Sequence, residues 1–182
     1  MTKRNIGGVA ICYLILISQP GFADEWMINA GGGPQPNGKG QTNLSAGMDY
    51  SFAKWVRSYR QQMLFGVSAT YLAADSDDNE EIWAISLYPQ LTLYAPIKEY
   101  GQPYFFVRAL GPSYISSNSL GNRQQAEHFS FQAQVGVGLY IPTASDEKII
   151  AAVSFKHFSN ANIFSDNDGI DLPVMLNLGI SY

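Results

Sequence analysis

Residues 128–141 read HFSFQAQVGVGLYI. Every odd position is apolar: Phe129, Phe131, Ala133, Val135, Val137, Leu139 and Ile141. The even positions are His128, Ser130, Gln132, Gln134, Gly136, Gly138 and Tyr140, nearly all polar or small. A period of two marks a strand whose two faces meet different surroundings. Strands of soluble sandwiches hold such a phase for about five or six residues. A stretch this long fits a tilted strand that crosses a bilayer and projects beyond it. The stretch predicts an apolar face toward lipid and a glutamine-bearing face toward an enclosed interior.

Seven further segments repeat the pattern more loosely. Residues 24–32 carry Trp26, Ile28 and Ala30 on one side; residues 42–52 carry Leu44, Ala46, Met48, Tyr50 and Phe52. Residues 59–72 align Met63, Phe65, Val67, Ala69 and Tyr71, and residues 81–94 align Trp83, Ile85, Leu87, Leu91 and Leu93 around Pro89. Residues 103–115 set Phe105, Val107 and Ala109 opposite Tyr104, Phe106 and Arg108. Residues 148–159 and 173–182 complete eight, the last placing Val174, Leu176, Leu178, Ile180 and the terminal Tyr182 on one face. An even count lets a sheet close with every edge paired, which hydrocarbon demands because it offers an unpaired amide no water. The fold class is therefore all-β, an eight-stranded antiparallel transmembrane barrel. At that size the interior is filled by side chains. Aromatic residues near strand ends, Trp26, Trp55, Tyr59, Trp83, Tyr94, Tyr104, Tyr140 and Tyr182, are the expected interfacial girdles.

The compartment is read from the other end of the chain. Lys3 and Arg4 precede the apolar run GGVAICYLILI, and small residues follow at Gly21 and Ala23. This is the layout of a secretory signal peptide over residues 1–23, cleaved before Asp24, with the barrel domain at 24–182. The run is short for a membrane helix, and Ile11 before Cys12 is too bulky for a usual lipoprotein site. Cleavage removes the single cysteine, so the mature chain has no disulfide. It also removes two of 11 basic residues, leaving nine against 15 acidic ones and a net charge of −6. No basic cluster remains to bind nucleic acid.

With both ends of the barrel domain periplasmic, residues 33–41, 73–80, 116–127 and 160–172 are outer loops. Residues 53–58, 95–102 and 142–147 are then periplasmic turns. The outer run ADSDDNEE at 74–81 is acidic. It lacks the spacing of a calcium loop and reads as solvated.

The seventh segment holds the chemistry. Its apolar parity, Ile149, Ala151, Val153 and Phe155, continues into His157 and Ser159. Both polar side chains therefore point toward lipid at the outer end of the strand, with alpha carbons roughly 6.5–7 Å apart. An imidazole at that range can take the proton of a serine nucleophile. A third group, an acid, must orient the imidazole. Asp166, Asp168 and Asp171 all lie in the following loop, with Asp171 nearest the returning strand. Asn160 and the amides after it are candidate donors to an oxyanion. Polar groups facing lipid are costly and tend to mark function. Lys156 has the opposite parity and reads as an interior or rim charge. A neutral histidine base implies a pH profile that rises near neutrality.

At these residues the chain resembles the PagL lipid A 3-O-deacylases of Gram-negative outer membranes. The resemblance rests on His157-Phe158-Ser159-Asn160-Ala161 followed by Asn167-Asp168-Gly169-Ile170 and an acid at 171. More diffusely, it extends through length, strand number and the aromatic C-terminus. It implies an eight-stranded outer-membrane barrel whose site lies on the outer surface near the outer leaflet. It further implies lipid A, or lipopolysaccharide, as substrate, with no metal or organic cofactor. Carried over, His157 resembles the base, Ser159 the nucleophile and Asp171 the orienting acid. Asn160 resembles the oxyanion residue, with Asn167 its helper. The family pattern leads one to expect glutamate where this chain has Asp171, a shorter arm. Two other readings stay open: a non-enzymatic barrel for adhesion or envelope integrity, and another lipid acyl hydrolase or an acyltransferase. A homodimer is compatible with the sequence, which carries no signal of oligomeric state or acyl-chain preference.

Overall fold

A computed structural model describes residues 21–76, 79–125 and 127–182. The signal peptide reading falls almost wholly outside these residues, as do Asp77 and Asp78 of the acidic loop. The described chain forms β1 (Gly21–Pro34), β2 (Thr42–Ser58), β3 (Gln61–Ala74), β4 (Glu81–Tyr94) and β5 (Gln102–Ile115). A two-stranded hairpin follows, β6 (Ser119–Leu120) and β7 (Arg123–Gln124), and then β8 (Phe129–Pro142), β9 (Lys148–Ser159) and β10 (Ile170–Ser181). The eight long strands close into one antiparallel barrel in the order β1-β10-β9-β8-β5-β4-β3-β2. Among the described residues no helix is long and apolar enough to cross a membrane. Strands of 12 to 17 residues exceed the nine to eleven or so needed to span hydrocarbon, so their ends project.

The period-two reading sets the orientation of every long strand. Ile28, Leu44, Leu87, Val137, Val153, Leu176 and Leu178 all lie exposed on the outer wall. Gln132 and Gln134 point inward and are fully enclosed. Inside, Arg108 forms an ion pair with Asp49 at 2.5 Å. The same guanidinium donates to Gln90 and Gln134 and lies 3.8 Å from the centre of the Tyr88 ring. Lys156 is fully buried in this interior, its Nζ donating to Asn29 Oδ1 at 3.1 Å. Charges survive here because each has partners; an unpaired one would face a desolvation cost of several kcal/mol. The interior is a packed network.

Three of the expected girdle residues belong to that interior instead. Tyr104 and Tyr140 are buried with ring centroids 4.8 Å apart, and Tyr94 packs against both. Their parity explains it, because Tyr140 shares a face with Gln132 and Gln134, and Tyr104 shares one with Arg108. Gly138, on the same face, leaves room for Tyr104, whose ring would lie 2.5 Å from an added Cβ. Trp26, Tyr59, Trp83 and Tyr182 do lie exposed.

Strand bounds differ most at β2, where residues 53–58, expected as a turn, continue the strand through register shifts after Ser51 and Val56. The turn itself is residues 59–60. A second irregularity faces Pro89, which has no N–H to donate. Here β5 bulges at Ala109–Leu110, with Leu110 at φ 55°, and the β4–β5 register shifts between Ser86 and Gln90. A third shift, between Leu172 and Met175 of β10, bears directly on the site.

Candidate functional site

On β9 the interior residues alternate strictly, Ser154, Lys156 and Phe158 being buried, and Asn160 just past its end continues the series. His157 and Ser159 therefore face outward at the strand end beside the longer connections, each partly exposed. Across the β9–β10 ladder the partner of His157 is Asp171. Simple alternation from Met175 and Asn177, both interior, would turn Asp171 inward. One extra residue on β10 between Leu172 and Met175, at the Pro173–Val174 bulge, reverses the phase. The carboxylate thus emerges beside the imidazole, and His157 Nδ1 lies 2.7 Å from Asp171 Oδ1. Of the three aspartates the sequence left open, this one meets the histidine. Asp168 instead accepts from the Gln124 backbone N–H, and Asp166 accepts through its carbonyl from Asn160 Nδ2.

Gln35, in the β1–β2 loop, fixes the other side of Asp171. Its Nε2 donates to Asp171 Oδ2 at 2.8 Å, and its Oε1 accepts from the Asp171 backbone N–H at 2.8 Å. Asn43 Nδ2 donates to Gln35 Oε1 and to the Asp171 carbonyl, while Gln41 Nε2 donates to Asn43 Oδ1. All three carboxamides are buried. The loop that holds them is tight, with Gln35 and Gln41 bonded through their backbones and positive φ at Asn37, Lys39 and Gly40. Sequence reading missed this chain, since PQPNGKGQ looks like a solvated loop. The available signal was Gln35 between two prolines, an unusually stiff setting for a flexible side chain.

The 160–169 loop closes the site from above. Asn160 is fully buried; its backbone N–H donates to Asn167 Oδ1 and its Oδ1 accepts from the Asn162 N–H. Asn167 Nδ2 in turn reaches Asn162 Oδ1 at 2.9 Å. Both asparagines therefore organise the loop, and each amide nitrogen keeps a second N–H. Gly169, at φ +69°, lies against the imidazole so closely that an added Cβ would sit 2.8 Å from His157 Cε1. The Ser159 hydroxyl makes no hydrogen bond to His157 among the described residues. Such contacts are commonly long before substrate binds. Among the described residues no group of three or more His, Cys, Asp or Glu side chains is arranged to hold a metal ion.

Fold and site together define an outer-membrane barrel that carries a histidine–aspartate pair and a neighbouring serine on its outer wall. The model of the lipid A 3-O-deacylase (PagL) family matches residues 40–181, and the chain belongs to that family of ester hydrolases. The crystal structure of the outer membrane enzyme PagL superposes with a TM-score of 0.62, covering 85% of this chain and 97% of that one at 18% identity. At that identity the likeness speaks to the fold. No curated protein matches the sequence. The role in outer-membrane lipid A deacylation follows from the family.

Proposed function

We propose that Ser159, His157 and Asp171 form a catalytic triad that hydrolyses the 3-O-linked acyl ester of lipid A. The observation that carries this reading is the outward His157–Asp171 contact at 2.7 Å, with Ser159 next on the same face. With Nδ1–H donated to the carboxylate, Nε2 is left as the acceptor facing away from Asp171. It takes the Ser159 proton as Oγ attacks the ester carbonyl. The bond to the sugar oxygen then breaks, that oxygen leaves with the proton from His157, and the acyl group stays on Ser159. Water, deprotonated by the same imidazole, releases the fatty acid and regenerates the serine.

Asn160 is enclosed and holds the loop, so the oxyanion donor is the second N–H of the partly exposed Asn167 side chain. One such donor contributes roughly 10²–10³-fold in rate. Aspartate in place of the expected glutamate is accommodated by the β10 bulge, which brings the shorter arm to the ring. Export by a signal peptide fits the same reading, since cleavage after Ala23 leaves the regular β1 pairing from Glu25 onward intact.

Mass spectrometry of host lipid A, with the wild-type chain and with Ser159→Ala, tests the proposal. Loss of one hydroxyacyl chain with the wild type alone is expected. A gained acyl chain would indicate transfer, and released phospholipid acyl chains with unchanged lipid A would indicate a phospholipase. No change in either lipid would leave a non-enzymatic barrel.

A further inference from the structure

Strand β7 and the residue after it are bound to the 160–169 loop. Gln125 bridges to Asn167, the Asp168 N–H donates to the Gln124 carbonyl, and the Gln124 N–H returns a bond to the Asp168 carboxylate. The next residue along, Arg123, donates from Nε to the Gly169 carbonyl at 2.8 Å. Gly169 is the residue pressed against the His157 ring. The guanidinium is thus held on the same residue that packs against the imidazole.

Its Nη1 and Nη2 have no carboxylate within ion-pair distance among the described residues; the Asp168 carboxylate accepts the Gln124 N–H through Oδ2. The surrounding loops are acidic, with Asp75, Glu80, Glu127, Asp166 and Asp168; the other cation at this end, Lys39, is exposed on the β1–β2 loop. A half-buried arginine with no ion-pair partner among the described residues has N–H groups free to take an anion. Its planar fork suits a phosphate, which can accept two parallel N–H bonds.

We infer that Arg123 binds a phosphate monoester of the glycolipid substrate, the one on the same glucosamine that carries the ester to be cleaved. The inference rests on the deacylase reading above. In lipid A the C1 phosphate and the C3 ester leave one ring, separated by a single ring carbon. A guanidinium beside the catalytic imidazole is where that phosphate arrives once the ester reaches Ser159. Arg123 thereby orients the headgroup and selects phosphorylated glycolipid over neutral glycolipid.

The test compares kcat and KM of the purified full chain in detergent micelles on three substrates: diphosphoryl lipid A, its 1-dephospho form and its 4′-dephospho form. Removal of the 1-phosphate is expected to raise KM for the wild type roughly tenfold or more, the worth of a charge-assisted pair. Arg123→Ala and Arg123→Gln are expected to erase that discrimination by raising KM on the diphosphoryl substrate, and Arg123→Lys to restore part of it. A gel-mobility shift on heating checks that each variant is a folded barrel; glutamine keeps a donor for the Gly169 carbonyl should alanine fail to fold.

Equal losses on all three substrates would overturn the inference and leave Arg123 as a loop brace. Discrimination against the 4′-dephospho form alone would overturn the assignment to the ester-bearing ring. A wild type active on all three without preference would remove Arg123 from recognition while sparing the deacylase reading. A wild type active on none would end both.

Discussion

Replacing Gln35 with alanine removes two hydrogen bonds from Asp171: the one from Nε2 to the carboxylate and the one its Oε1 accepts from the backbone N–H, both at 2.8 Å. The Asp171 carbonyl keeps its bond from Asn43 Nδ2 at 3.0 Å, so the strand end stays anchored while the carboxylate loses its outer partner. A hydrogen bond to a charged group is worth about 1.5–3 kcal/mol. Expressed through the orientation of His157, about 2 kcal/mol corresponds to roughly a 30-fold fall in kcat. KM should move little, because Gln35 is buried and does not reach the acyl-binding face. The barrel should still form, since the ladders do not depend on this side chain. The decisive assay is a double-mutant cycle on purified protein, with single-turnover ester hydrolysis measured for wild type, Gln35→Ala, Asp171→Asn and the pair. If Gln35 acts through Asp171, its loss costs far less in the Asp171→Asn background. An undiminished 30-fold cost there, or no cost in the wild type, would refute the reasoning.

Gly169→Ala is expected to lower kcat more than Gln35→Ala, because the methyl group would displace the imidazole it meets at 2.8 Å and would occupy a left-handed φ of +69°; the same turnover assay reads it, and an unchanged rate would place the ring elsewhere. Asp49→Ala leaves Arg108 without its carboxylate in the sealed interior, and breaking such a pair costs about 3–5 kcal/mol. Urea unfolding in micelles should show that loss, while turnover by the surviving folded fraction stays near normal.

How far the sequence carries can be judged residue by residue. Alternation fixed which way Gln134, Val137 and His157 face, because side-chain direction is a strict consequence of strand geometry. Residues 81–94 and 148–159 are strands with the bounds that pattern implied. Alternation fails wherever a strand changes phase. The bulge at Pro173–Val174 is invisible to a two-residue period, yet it decides whether Asp171 faces its histidine or the interior. Tyr104 and Tyr140 were misplaced for a different reason: residue type suggested an interface while their own parity already pointed inward. The Gln35–Asn43–Gln41 chain was out of reach because it joins segments more than 120 residues apart; the prolines beside Gln35 mark a stiff loop but not the residue it pairs with.

A solid interior has a further consequence for how this protein meets its ligands. Lipid does not thread it, so a lipid substrate reaches His157 sideways, by drifting within a sheet of molecules two dimensions wide. The governing quantity is then crowding in that sheet, the share of its molecules that are substrate, and the volume of the surrounding bath drops out. Diluting a preparation with more detergent should slow it even when the number of moles of enzyme and lipid is held fixed.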